Sequence, residues 1–112
     1  MDRVLREKIE LTELEAKTRT EVEQYAAFSF TSKAYVIFDD EQKIYTAISV
    51  PHLPRPWPSR VIVMAQVVGD KVVIIEDITD KPLVDALVHN AGIPRDKIIL
   101  AYRGEPVPEA AQ

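Results

Sequence analysis

The residues of this 112-residue chain whose types could do chemistry are few and scattered. His52 and His89 are its two histidines, and neither falls in a recognisable set of metal ligands. The acids form two clusters, Asp39-Asp40-Glu41 and Glu76-Asp77 with Asp80. Several converging oxygens could hold a divalent ion. The first cluster, however, also fits a hairpin turn, and the second fits a strand end passing into a helix cap. The structural reading is preferred for both. Serines and threonines occur without a paired His and Asp, so no nucleophilic triad can be assembled. The chain has no cysteine, which removes thiolate nucleophiles and thiolate metal sites. Its three glycines, Gly69, Gly92 and Gly104, are too far apart for a phosphate-cradling loop. The expectation is a protein that is not an enzyme, with no catalytic residue, no cofactor and no metal.

The types suited to binding are more concentrated. Pro51-His52-Leu53-Pro54-Arg55-Pro56-Trp57-Pro58 holds four of the eight prolines. Proline fixes φ and lacks an N–H, so this run cannot be a central strand. Pro51 to Pro54 matches PxxP, but a loop inside a small domain seldom serves as a free ligand peptide. Trp57 is the better contact residue. Tryptophan and arginine are enriched at binding hot spots, and Arg55 and Arg60 flank it. The site expected is therefore a partner contact at Arg55, Trp57 and Arg60. The competing explanation is a stiff connection with Trp57 folded over a core edge.

Charge and composition narrow the partner. Fourteen Lys and Arg against 18 Asp and Glu give a net charge of −4 and a pI near 5.2. Affinity for nucleic acid rests largely on cations neutralising phosphates, and no basic stripe is present, so strong direct binding is not expected. With 46% hydrophobic and 29% charged residues the chain has an ordinary globular composition. Its apolar runs are too short to span a bilayer. The start, Met1-Asp2-Arg3-Val4-Leu5-Arg6-Glu7-Lys8, carries charges where an export signal needs an apolar stretch, which predicts a cytoplasmic protein.

The elements that must position these residues follow from periodicity. Residues 2–25 lack Gly and Pro, and Val4, Leu11, Leu14, Thr18, Val22 and Tyr25 form one helical face, widened by Leu5 and Ile9. Thr12 with Glu15 also fits a capping box, which would start the helix near Thr12; the longer helix is preferred. Phe28 to Thr31 and Ala34 to Phe38 are β-branched and aromatic, as is Ile44 to Val50, with the acidic turn between the last two. Val61–Val68 and Val72–Ile75 form a second hairpin, Gly69 taking positive φ. Leu83, Val84, Leu87 and Val88 make a second helix with Pro82 in its first turn and Gly92 as its C-cap, before a last strand, Ile98 to Tyr102. The order is helix, four strands, helix, strand: an α+β fold, helices layered on a mainly antiparallel sheet. One domain over 1–104 and a disordered tail over 105–112 are expected. Sheet edges and the long apolar stripe predict a homo-oligomer or an obligate partner.

Three stretches resemble the XisI-like family, the fdxN element excision controlling factors. Ile37-Phe38-Asp39 with Glu41 and Tyr45 is similar to that family's I-F-D-x-E hairpin. Lys71, Val72 and Ile74, then Asp77 and Thr79-Asp80, resemble its K-I-W-I strand and D-x-T-E helix entry. Gly92-Ile93-Pro94 with Ile98-Ile99-Leu100-Ala101-Tyr102 resembles its G-I-P-x-x-x-I-V-L-A-F ending. The order agrees from Tyr25 to Tyr102. Val73 replaces the strand tryptophan, Arg103 stands where many members have His, and the loop before Arg60 is richer in proline. The resemblance implies an accessory protein in programmed excision of a DNA element, acting through a recombinase or a XisH-like partner of nuclease-like fold. It brings no catalytic residues. A small-molecule-binding or other protein-interaction module unrelated to excision is the alternative.

Overall fold

Thr12 decides where the first helix starts. Its Oγ1 accepts a hydrogen bond from the Glu15 amide at 3.1 Å, and Glu15 Oε1 accepts one from the Thr12 amide at 3.0 Å. Two amides that would otherwise lack partners are satisfied at once. In the computed structural model, which describes residues 10–52 and 57–108, helix α1 accordingly spans Glu13–Glu23. This corrects the expectation of a helix over 2–25: Glu10 to Thr12 are not helical. Val4, Leu5 and Ile9 lie outside the described residues. Thr18 and Val22 of the remaining stripe are buried, and Leu14 and Tyr25 pack at the core margin.

The strands are β1 (Ala27–Phe28), β2 (Ser32–Asp39), β3 (Ile44–Pro51), β4 (Arg60–Val68), β5 (Lys71–Asp77) and, after helix α2 (Leu83–His89), β6 (Ile98–Leu100). They lie side by side in chain order. Each pair is antiparallel except β5 and β6, which are parallel. A parallel neighbour needs a crossover connection, and α2 supplies it. Five strands precede α2 where four are expected. The extra one arises because Ser29 to Thr31 is a turn: Ser29 Oγ accepts from the Thr31 and Ser32 amides, and Phe28 before it pairs with Lys33. The last strand stops at Leu100, followed by a 3-10 turn over Ala101–Arg103.

Both helices lie on one face of the sheet. There Tyr45, Ala47, Val63, Ala65, Val72 and Ile74 meet Val22 of α1 and Leu83 and Leu87 of α2, all fully buried. Ala47 and Ala65 on neighbouring strands leave room for α1 to approach. Asp77 fixes α2: its Oδ2 accepts from the Leu83 amide at 2.7 Å, and its Oδ1 accepts from the Thr79 amide at 2.9 Å and hydroxyl at 2.6 Å. Pro82 occupies the N-cap and offers no capping side chain, so this aspartate six residues before the helix does that work.

Candidate partner-binding surface

The connection between β3 and β4 sits where the strands run out. Ser49 is opposite Arg60 in the β3–β4 pairing, and the register shifts between Ala47 and Ile48, with Ile62 as the extra residue. Trp57 lies at this end of the sheet, 49% exposed and outside the core cluster. With Ser49, Pro58 and Arg60 it lines a hollow of about 340 Å³. Arg60 is exposed. The structure thus brings Trp57 and Arg60 together, while Arg55, the third residue of the expected contact, lies outside the described residues, as do Leu53, Pro54 and Pro56.

Sequence reasoning missed two neighbours. Ser32 pairs with Pro51, so the β1–β2 turn and the proline connection share one end of the sheet. Phe28, at the end of β1, is 75% exposed, and Phe30, in the turn itself, is 98% exposed. His52 ties the two segments together: its amide donates to the Thr31 carbonyl at 3.0 Å, its Nε2 lies 3.1 Å from the Ser29 carbonyl oxygen, and its ring centroid is 5.3 Å from that of Phe28. The signal in the sequence was Ser29 and Ser32 flanking Phe30, an arrangement suited to a hydroxyl-closed turn as much as to a strand.

The residues considered for chemistry have other duties. Asp39 Oδ1 accepts from the Glu41 and Gln42 amides and its Oδ2 from Gln42 Nε2 at 2.8 Å. The Gln42 bonds chiefly hold its carboxyl below the ordinary value. Asp40 lies 3.7 Å from Arg19 of α1, whose guanidinium stacks 4.6 Å above the Phe38 ring. Glu15 pairs with Lys43 at 3.2 Å. Burial pushes the Glu15 carboxyl up, but the Thr12 amide and the Lys43 ammonium outweigh it and leave it lowered. Burial, and then the carboxylates of Asp40 and Glu15, push the Tyr45 hydroxyl up to about 12. These contacts lock the β2–β3 hairpin onto α1. His89 is exposed, beside a hollow of about 660 Å³ between α1 and α2 that Glu21, Asp80 and Asp85 also line. Among the described residues no group of three or more His, Asp or Glu is placed to hold a metal ion.

The whole is an α+β domain with helices on one side of a six-stranded sheet and an exposed aromatic corner where one hairpin loop meets the next. The family model described as XisI protein matches residues 6–111, and the chain belongs to the XisI family. Among solved structures, a XisI-like protein from Anabaena variabilis ATCC 29413 is 18% identical, with a TM-score of 0.64 over 80% of this chain and 85% of that one. The fdxN element excision controlling factor XisI from the same organism is 20% identical, with a TM-score of 0.63 over 80% of this chain and 89% of that one. At these identities the two share the fold. No curated protein matches the sequence. Among the described residues no helix is long and apolar enough to cross a membrane.

Proposed function

We propose that this chain is a non-catalytic accessory factor in the cytoplasm that controls excision of a DNA element by binding a protein partner of the XisH-like, nuclease-fold kind. The observation that carries the reading is membership of the XisI family across residues 6–111, joined to a structural neighbour named as an excision controlling factor. The physical chemistry agrees with it. A net charge of −4 disfavours tight association with phosphates, so control of DNA chemistry runs through a protein. The contact is the surface at Trp57 and Arg60, with Arg55 beside them in sequence. A half-exposed tryptophan on a proline-stiffened connection offers large apolar area at small entropic cost. Phe28 and Phe30 extend that surface along the same end of the sheet.

Mixing the purified chain with the purified XisH-like protein of its host and resolving the mixture by size exclusion tests the reading. A co-eluting complex is expected, together with no discrete shift of duplex DNA by the chain alone at physiological salt. Separate elution, or a tight sequence-selective shift by the chain alone, overturns it.

A further inference from the structure

The two edges of the sheet are finished differently. At the β6 edge the outward backbone groups of Ile98 and Leu100 are all taken within the chain. The Ile98 amide donates to the Arg95 carbonyl, and the Ile98 carbonyl accepts from Arg95 Nη1 at 2.8 Å. The Leu100 amide donates to Glu105 Oε1 at 2.7 Å, and its carbonyl accepts from the Glu105 amide at 3.2 Å. The opposite edge is covered only at its start, where β1 pairs with Lys33 and Ala34 of β2. Odd-numbered residues of β2 turn their amides and carbonyls to β3, because the His52 amide donates to the Thr31 carbonyl and the register runs unbroken from there to Asp39. Even-numbered residues turn theirs outward, as the Ser32 carbonyl does in accepting from the Ser29 amide. Past Ala34, the amides and carbonyls of Val36 and Phe38 therefore point off the edge, and among the described residues none has a partner on that side. Between Ala34 and Phe38, β2 also carries no charge, proline or bulge, the usual means of blunting an edge.

The free stretch fits a second copy of itself. It runs from Tyr35, next to the last residue that β1 covers, to Asp39, where the strand ends. A second β2 laid antiparallel with Ile37 opposite Ile37 fills it end to end. Tyr35 then meets Asp39, Val36 meets Phe38, and every free amide and carbonyl of one copy bonds one of the other. The neighbouring registers of correct phase fail: one sets Phe38 against Ala34, whose outward groups Ala27 already holds, and the other sets Val36 against Asp40, beyond the strand. The side chains agree with the first register. Ile37, 52% exposed, meets its own copy on the twofold axis. Lys33, whose ammonium lies 4.7 Å from the centre of the Tyr35 ring, stands diagonally across from Asp39 of the second copy, within reach of a long side chain and twice in each pair. We propose that the open edge of β2 is a homodimer contact, two copies joining their sheets into one through an antiparallel β2–β2 pair.

The chain has no cysteine, so a single introduced thiol reports the register. Ile37 would face its copy as a non-hydrogen-bonded pair with Cα atoms about 4.5 Å apart, within disulfide range, whereas the two Tyr35 residues would be more than about 13 Å apart. On mild oxidation Ile37→Cys should run as a covalent dimer and Tyr35→Cys should not, with circular dichroism confirming that both are folded. Sedimentation equilibrium gives a second reading. Wild type should show a reversible monomer–dimer equilibrium. Ile37→Lys and Ile37→Glu should each weaken it by at least about tenfold, because like charges then meet across the axis, and an equimolar mixture of the two should regain the dimer. A wild type that stays monomeric at every concentration, equal cross-linking at both positions, or a mixture no stronger than its separate components overturns the proposal. Because no partner protein takes part, either result leaves the XisH-like reading to its own test.

Discussion

The two faces of this sheet are built from the same strands, yet one is sealed by the helices and the other, where Lys33, Asp39, Thr46, Gln66 and Glu76 stand among the apolar residues, is open. Along β2, Val36 and Phe38 turn toward the helices, while Tyr35 and Ile37 turn away and stay about half exposed. The difference lies in what covers them, not in hydrophobicity. α1 and α2 bury one face within the chain and thereby stabilise it. The other face leaves Tyr35, Ile37 and Ile75 partly exposed. Aromatic Phe28, Phe30 and Trp57 at the end of the sheet continue the second pattern.

Substitutions on the covered face should separate the two most strongly. Ile74→Ala removes a fully buried side chain between β4 and β6 and is expected to cost about 3 kcal/mol in urea unfolding. A loss under about 1 kcal/mol would mean the helix layer seals the sheet poorly. The helix that does the sealing depends on its start. Thr12→Ala removes the capping box and should cost about 1 kcal/mol, with a matching drop in helical circular dichroism.

A smaller effect comes from Glu15, which ties α1 to the hairpin through Lys43. Its folded carboxyl is held below 4.5, so this contribution is fully present above about pH 4.5 and is lost as pH falls through the lower, folded value. Comparing thermal melts at pH 7 and pH 3, Glu15→Gln should show a shallower acid loss than wild type; an identical slope would remove Glu15 from the linkage. The smallest change belongs to the open face. Ile37→Ser should alter unfolding by no more than about 0.5 kcal/mol. A loss comparable to that of Ile74→Ala would erase the distinction between the faces.

Much of the architecture was legible because turn chemistry is local. Asp39 closes the first hairpin with its own carboxylate, and Gly69 and Gly92 take φ of 61° and 73°. Two features depended on competition between local signals. The stripe through Leu11 and Leu14 continues past Thr12 in either direction, so periodicity alone could not choose the helix start; the paired Thr12 and Glu15 bonds chose it. Phe28-Ser29-Phe30-Thr31 has strand composition and no Gly or Pro, and the Ser29 hydroxyl bonds, with the Ser29 amide donating to the Ser32 carbonyl, turn the chain there. Lys43 adopts φ 60° without being glycine, which composition also does not announce. For the candidate surface, residue type pointed to Trp57 and Arg60, but their exposure and the nearness of Phe28 and Phe30 depend on Ser32 pairing with Pro51, a long-range fact that no local pattern carries.

If this XisI-family chain binds its partner through the surface proposed at Trp57, the variant Trp57→Ala separates that role from a structural one. Calorimetric titration with the XisH-like protein and thermal melting should be run on the same preparation. A binding loss of about 2 kcal/mol or more, roughly thirtyfold in affinity, is expected, with a melting temperature within about 2 °C of wild type. Unaltered affinity, or a loss of binding that merely follows a fall in stability, would contradict it.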